Sequence, residues 1–253
     1  MASSSTSRLA RLSMEGVVIV VSILLAFGID AWWGERQERK RMLGQLTQVE
    51  IDLRSTLQNL TDYGINAERA RLANRSLVEA RNNPEAVPVD SAGAFFAWSW
   101  ILAGGEPRIE SVRSLVQTGE IGLLEDPELQ QAMTMYLARI QEADRYENEV
   151  LEQFGATVLG LFEYIDLTDV VTATLSSEEL GQAGLTWEAH SPEYDRGLDR
   201  RLINEHAHSL ITNAAVQRIL SQMLALKTDV RLQQIAMRAE TEALLERVEA
   251  VPR

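Results

Sequence analysis

The chain has 253 residues, 45% hydrophobic and 24% charged, which is enough for one large or two small folded domains. It contains no cysteine, so disulfides, thiolate metal ligands and cysteine nucleophiles are excluded. Its net charge of −13 makes nucleic acid a poor partner, because phosphate contacts need clustered positive charge.

The most informative stretch is apolar and lies near the N-terminus. Residues 16–33 hold one charge, Asp30, and nearly reach the roughly 20 apolar residues that span a bilayer. Arg11 and Arg36 flank it at about 37 Å of helix, long enough for both to snorkel out of the hydrocarbon. We therefore predict a tail over residues 1–15, a transmembrane helix over 16–34 and an acidic helical domain over 35–253.

Two other interpretations of this stretch stay open. Residues 17–27 have the length of a signal-peptide core, and Ala26 and Gly28 supply small residues for a cleavage site. A buried helix of a water-soluble protein is disfavoured, because residues 17–27 are apolar on every face. The membrane anchor is the interpretation that we adopt.

Side chains on the predicted membrane helix suggest two roles. Trp32 and Trp33 suit the headgroup layer and are predicted anchors there. Residues recurring every four positions share one helix face, where small and polar side chains favour helix–helix contact in lipid. These interface candidates are Ser22, Ala26, Asp30 and Gly34. The alternative for Asp30 is simple contact with water at the headgroup boundary.

The first part of the acidic domain is predicted to be a long helix over residues 35–81. Leucines and a valine recur there at helical spacing, and Pro84 and Pro88 then break the pattern. Middle helices are predicted over residues 91–164. The first of them is short, ends at Gly104-Gly105, and carries either core residues or a partner or ligand face. Its aromatic residues are Phe95, Phe96, Trp98 and Trp100.

Capping signals define the helices that follow. Gly119 is predicted to close a helix over residues 110–118 in the left-handed conformation. Asp126 and Pro127 indicate the start of a helix that runs to about Tyr164.

The C-terminal part is predicted to comprise a loop-rich region over 165–208, with a short helix near Ser176-Ser177, and a long helix over 209–250. Met223, Val230, Met237, Leu244 and Val251 repeat every seven residues, with Gln233, Glu240 and Arg247 as the imperfect complementary positions. The predicted fold class is all-α, an antiparallel helical bundle with coiled-coil character into which the membrane helix continues.

No motif for catalysis appears in the chain: it lacks a phosphate-binding loop, a nucleophile elbow and a zinc-protease signature. His206 and His208 on one helix point about 200° apart and cannot share an ion there, although His190 in a loop could complete a site. We predict no catalytic, metal or cofactor-binding residues, and a protein that is not an enzyme.

The sequence resembles a bacterial family of single-pass membrane proteins, the domain of unknown function 6090. The resemblance rests on "VVIVVSILLAFGIDAWWGERQERKR" and on a later block, "ESVRSLVQTGEIGLLEDPELQQAMTMYL". The positions of that block that match are Ser114, Leu115, Gly119, Leu123, Leu124, Asp126, Leu129 and Tyr136. The family implies a location and an architecture but no activity.

From these features we expect a single-pass protein of the bacterial inner membrane. A count of flanking basic residues favours a cytoplasmic body, whereas a short basic tail before one apolar helix is typical of a signal-anchor, and we adopt the extracytoplasmic orientation. The expected partners are membrane lipid and either a second copy or another membrane protein, without nucleic acid.

The predicted function is that of a membrane-anchored scaffold or interaction protein. The alternative is an extracytoplasmic sensor or ligand-binding domain that acts through a partner, with a pocket near residues 95–102 and Gly119. A hydrolase or metal enzyme using His206 and His208 is the third alternative.

Overall fold

The computed structural model describes residues 5–102, 107–175 and 199–252, with side chains from residue 21 onward. All regular secondary structure within these ranges is helical, which confirms the predicted fold class at the level of packed α-helices. The helices are α1 (Ser5–Glu79), α2 (Ala92–Trp100), α3 (Glu110–Thr118), α4 (Pro127–Leu159), α5 (Leu167–Thr174), α6 (Arg200–Leu210) and α7 (Ala214–Glu249).

Helix α1 is continuous over 75 residues and holds two regions of different character. Its described side chains are all exposed as far as Arg41, and Met42, 7% exposed, is the first buried one. We call residues 21–41 the stalk and residues 42–79 the packed segment. Short 3₁₀ turns around Pro84 and Pro88 follow the end of α1 and lead into α2.

Helix α7 packs antiparallel to both α1 and α4. Along α1, Arg54 pairs with Glu249 at 2.7 Å, while the Gln217 side chain donates to the Leu77 carbonyl at 2.8 Å. Residues later in α1 therefore contact residues earlier in α7, as expected for two antiparallel helices. On the other side, the Tyr136 hydroxyl of α4 lies 3.1 Å from the Thr241 hydroxyl of α7. Helix α7 therefore packs between α1 and α4 and contacts both.

The bundle has two hydrophobic cores in series along α1 and α7. The proximal core, next to the stalk, joins the first part of the packed segment to α3, the start of α4 and the end of α7. The distal core joins the end of α1 to α2, α5, the end of α4 and the start of α7. Its largest fully buried side chains include Phe96, Leu77, Leu161, Leu167 and Leu220.

The heptad pattern of α7 is more complete than the sequence analysis predicted. Met223, Val230, Met237 and Leu244 are buried, as expected, but Gln233 and Arg247 are exposed and Glu240 is half-buried. The predicted complementary positions are therefore wrong by one residue. The buried second set is Leu220, Lys227, Gln234, Thr241 and Val248. Three of these five residues are polar, which hid the second set in the sequence.

The predicted capping signals are confirmed. Gly119 ends α3 with a φ of 76°, in the left-handed region that favours glycine. The Asp126 carboxylate accepts hydrogen bonds from the backbone N–H groups of Glu128 and Leu129 at the start of α4. Side chains of Asp166, Asp199 and Asn213 cap α5, α6 and α7 in the same way.

The region predicted as loop-rich contains α5 and α6, which supply side chains to the distal core. The predicted short helix near Ser176-Ser177, His190 and the glycine pair Gly104-Gly105 lie outside the described residues. Tyr164 lies in the turn that follows α4, which ends at Leu159.

Candidate membrane and partner interface

The stalk presents a large apolar surface that no other described part of the chain covers. Eight of its large hydrophobic side chains are between 48% and 68% exposed. They are Val21, Ile23, Leu24, Leu25, Phe27, Ile29, Trp32 and Trp33. Isolated exposed hydrophobic residues are normal on protein surfaces, but a contiguous run of this size marks an interaction surface.

Two faces of the stalk are suited to close approach of another helix. The predicted face of Ser22, Ala26, Asp30 and Gly34 is exposed along its whole length. A neighbouring face forms a shallow apolar groove lined by Val21, Leu24, Leu25, Gly28, Ile29 and Trp32. A Cβ atom added at Gly28 or Gly34 would meet nothing within 4 Å.

An aromatic and basic band closes the apolar part of the stalk. The rings of Trp32 and Trp33 lie 6.4 Å apart, and the guanidinium of Arg36 lies 5.6 Å from the centroid of the Trp32 ring. Further basic residues follow up to Arg41, directly before the first buried residue. The predicted headgroup anchors therefore sit between the apolar run and the acidic body.

Among the residues that the structure describes, none of the helices has a run long and apolar enough to cross a membrane. The side chains of residues 16–20, with which the predicted span begins, lie outside the described part. Beyond the predicted span, the stalk remains helical and joins the bundle without a break.

The predicted partner or ligand face on α2 is packed into the bundle. Phe96 and Trp98 are buried in the distal core, and Phe95 and Trp100 are half-buried against it. Gly119 ends α3, whose buried residues belong to the proximal core. The structure therefore does not bring Gly119 together with the four aromatic residues.

A polar cleft that the sequence analysis missed lies between α1 and the start of α3. Its volume is about 730 Å³, within the range of small-molecule sites. The lining residues are Gln48, Asp52, Asn59, Tyr63, Pro107, Arg108, Glu110 and Ser111. They surround the point at which the segment before α3 attaches to α1.

Asp52 and Thr56 make that attachment. The Asp52 carboxylate accepts hydrogen bonds from the Gln48 side chain at 2.9 Å and from the Ser111 backbone N–H at 3.3 Å. The Arg108 backbone N–H donates to the Thr56 hydroxyl at 2.8 Å. Helix α3 has Ile109 at its N-cap position, so Asp52 of α1 supplies the acceptor that a capping side chain normally provides.

Lys227 is the other buried polar feature that the sequence analysis missed. Its side chain is 4% exposed, and its ammonium donates to the carbonyls of Ile101 at 2.6 Å, Trp98 at 3.3 Å and Ala70 at 3.4 Å. Burial lowers the pKa of this amine well below its usual range. The three carbonyl acceptors match the three N–H donors of a lysine ammonium. These hydrogen bonds favour the charged form and so oppose the effect of burial on the pKa. Lys227 thus joins α7 to α1 and to the end of α2.

The two histidines of α6 contact separate backbone carbonyls. The His206 ring nitrogen lies 2.8 Å from the Tyr164 carbonyl, and that of His208 lies 3.2 Å from the Pro84 carbonyl. Within the described residues no group of three ligating side chains could hold a metal ion.

The block that carries the family resemblance has a structural role here. Leu115, Leu124, Leu129 and Tyr136 are buried in the proximal core, and the caps Gly119 and Asp126 shape the turn between α3 and α4. Comparison with known protein families, characterised proteins and solved structures finds no match to this chain.

Proposed function

We propose that this protein is a membrane-anchored helical scaffold of the bacterial inner membrane. Residues 16–34 cross the bilayer once, and the acidic bundle recruits partners on the extracytoplasmic side. The observation that carries the proposal is the stalk, where every described side chain is exposed and eight large hydrophobic residues are 48% to 68% exposed.

The energetics favour a non-aqueous environment for the stalk. Burying one large hydrophobic side chain gains about 1.5–3 kcal/mol, and here several lie on every face of one helix. A bilayer covers all faces at once, whereas a single partner protein covers one. The Trp32 and Trp33 pair then lies at the headgroup level, with Asp30 less than one turn inside it.

The scaffold role rests on the form of the body. Its buried hydrophobic residues form two packed cores. Charged side chains form ion pairs on its surface, as in Arg75 with Glu79. Homo-oligomerisation or contact with another membrane protein is proposed to use the face of Ser22, Ala26, Asp30 and Gly34. The resemblance to the domain of unknown function 6090 agrees with this architecture and adds no activity.

The absence of cysteine makes a labelling experiment clean. We would introduce Ser7→Cys before the anchor or Thr212→Cys in the body, where Thr212 is exposed, and label intact spheroplasts with a membrane-impermeant maleimide. Labelling of Thr212→Cys alone, with protein that resists carbonate extraction, is the expected result.

Each other result has a distinct meaning. Extraction by carbonate would refute the anchor, and labelling of Ser7→Cys alone would reverse the orientation. A mature N-terminus at Ile29 would identify a cleaved signal peptide. Inside-out vesicles, in which the labelled position should switch, are the control.

The alternative function is a sensor or ligand-binding domain that acts through a partner. The polar cleft around Asp52 favours it, although this is not the pocket that the sequence analysis expected. Thermal unfolding of the full chain with a panel of small polar solutes tests this alternative. A solute that raises the midpoint in the wild type but not in Tyr63→Ala would support it, because Tyr63 lines the cleft and is 43% exposed.

A further inference from the structure

The stalk carries a basic band whose charges are not spread evenly around the helix. At about 100° per residue, seven side chains lie on one arc of about 200° of the helix circumference. In order around this arc they are Arg39, Trp32, Arg36, Lys40, Trp33, Gln37 and Arg41. Glu35 and Glu38 occupy the remaining part of the circumference. One side of the stalk is therefore basic and aromatic, and the other is acidic.

Five side chains of this arc form a continuous groove. This shallow groove has a volume of about 420 Å³, and all the side chains that line it are exposed. They are Trp33, Arg36, Gln37, Lys40 and Arg41. We call this groove, together with Trp32, the collar. Its chemistry is that of an anion site beside an apolar surface: guanidinium and ammonium donors, an amide and an indole edge.

The collar stands apart from the rest of the molecule in charge. Residues 1–34 are neutral overall, and residues 35–41 hold four basic and two acidic residues. The remaining chain, residues 42–253, holds 18 basic and 33 acidic residues, a net charge of −15. An anionic surface therefore attracts the collar and repels the body.

The repulsion is weaker than this count suggests, because most of the body is distant. Helix α1 extends about 55 Å from Met42 to Glu79, and charges are screened over about 8 Å at physiological salt. Only the acidic residues nearest the stalk oppose the collar.

We propose that the collar binds the headgroup of an anionic phospholipid. The lipid phosphate sits in the groove between Arg36, Lys40 and Arg41, and the two tryptophans rest on the acyl–headgroup boundary. The Arg36 guanidinium, which lies over the Trp32 ring, is held in place for a charge-assisted contact with the phosphate. This inference rests on the proposed membrane anchoring and names the class of lipid that the anchor selects.

The test compares flotation of the purified full chain with vesicles of phosphatidylcholine alone and of phosphatidylcholine with one-third phosphatidylglycerol. The variant Arg36→Gln, Lys40→Gln, Arg41→Gln removes the three charges of the groove. Because each basic residue near an anionic surface strengthens binding by about fivefold, we expect its affinity for anionic vesicles to fall about 100-fold. Binding to neutral vesicles should not change.

A matched control removes the same charge from the distal end of the body. The variant Arg200→Gln, Arg201→Gln, Arg218→Gln changes three exposed arginines and should bind anionic vesicles as the wild type does. An equal loss in this variant would show a bulk charge effect and overturn the proposal. Binding of millimolar inorganic phosphate to the full chain in neutral detergent, together with equal affinity for anionic and neutral vesicles, would identify a site for free phosphate and overturn it too.

The outcomes separate this inference from the membrane anchor itself. Flotation of both proteins with both vesicles, with equal affinities for anionic vesicles when the lipid is titrated below saturation, would keep the anchor and refute the collar. Flotation with anionic vesicles only, lost in the collar variant, would support the collar and refute the anchor. Failure of the wild type to float with either vesicle would refute both.

Discussion

The stalk and the packed segment of α1 are parts of one continuous helix, yet they have opposite relations to water. In the packed segment, buried residues such as Val49, Leu53 and Leu60 recur on one face, and the outer face is mostly polar with a few exposed hydrophobic residues such as Ile65. In the stalk up to Trp33, large hydrophobic residues lie on every side of the helix and are 48% to 68% exposed. A helix with one apolar stripe needs a partner on one side, and a helix that is apolar all round is covered either by lipid or by protein on every side. The difference assigns the packed segment to the bundle and the stalk to another environment.

The largest expected difference between the two regions is in the cost of shortening a leucine. Leu53 is 0% exposed and Leu24 is 64% exposed. Leu53→Ala should lower the free energy of unfolding by about 2–5 kcal/mol, because it leaves a cavity in the proximal core. Leu24→Ala should change it by less than about 0.5 kcal/mol. Urea unfolding of the full chain in a neutral detergent measures both values, and similar losses would show that the stalk packs on the body.

Glycine positions give a second comparison, with a smaller expected effect. A Cβ at Gly93 of α2 would lie 2.6 Å from Asn204 Oδ1 and 2.7 Å from Thr174 Cγ2. Asn204 is held in place, because it accepts from the Gly93 N–H and donates to the Asp90 carbonyl. Gly93→Ala should therefore cost about 1–3 kcal/mol of stability. Gly34→Ala, in open space on the stalk, should gain up to about 1 kcal/mol of helix propensity. A neutral Gly93→Ala in the same unfolding measurement would contradict the close packing at α2.

The two lysines of the chain, Lys227 in the bundle and Lys40 on the stalk, extend the comparison to pH. Burial lowers the pKa of Lys227, so the unfolded chain holds more protons than the folded one up to the ordinary value of 10.5. Between the lowered pKa of folded Lys227 and 10.5, the free energy of unfolding of the wild type should therefore rise with pH. The rise relative to Lys227→Met should reach up to about 1.4 kcal/mol per pH unit.

Lys40→Met is the matched control, because Lys40 is exposed. If the unfolding free energies of Lys227→Met and of the wild type changed in parallel with pH, Lys227 would not titrate differently in the folded state.

The smallest expected effect concerns association through the stalk. Asp30→Leu should weaken self-association by about 0.6 kcal/mol, a typical value for a polar contact between membrane helices, and leave the stability of the bundle unchanged. Sedimentation equilibrium in detergent measures this, with Ile23→Leu as a control at another position of the stalk. Unchanged association in Asp30→Leu would mean that Asp30 faces headgroup water.

Local signals predicted the parts of this fold that local chemistry decides. Gly119 and Asp126-Pro127 mark a helix end and a helix start because the left-handed cap and the N-cap need those residue types. The exposed apolar run was also evident, since its residues lie next to one another in the chain. Helix α5 was missed because its eight residues are too few to show a helical period.

Long-range polar contacts could not be predicted in the same way. Asp52 looks like an ordinary solvent-exposed residue until α3, 59 residues later, needs an acceptor at its first turn. Lys227 occupies a core position of the heptad, but its three acceptors come from α1 and the end of α2. A polar residue at a core position interrupts the hydrophobic pattern that identifies such positions. The second set of core positions on α7 was therefore predicted one residue away from the buried one.

The unbroken backbone between Arg41 and Met42 links the rotation of the collar to the rotation of the bundle. One residue inserted there would turn the bundle by about 100° about the helix axis and lift it by about 1.5 Å. Seven inserted residues would complete almost two turns, restoring the original direction while raising the body by about 10 Å. With the membrane anchoring proposed above, the number of residues at this one junction sets both the direction in which the body faces and its height above the membrane plane.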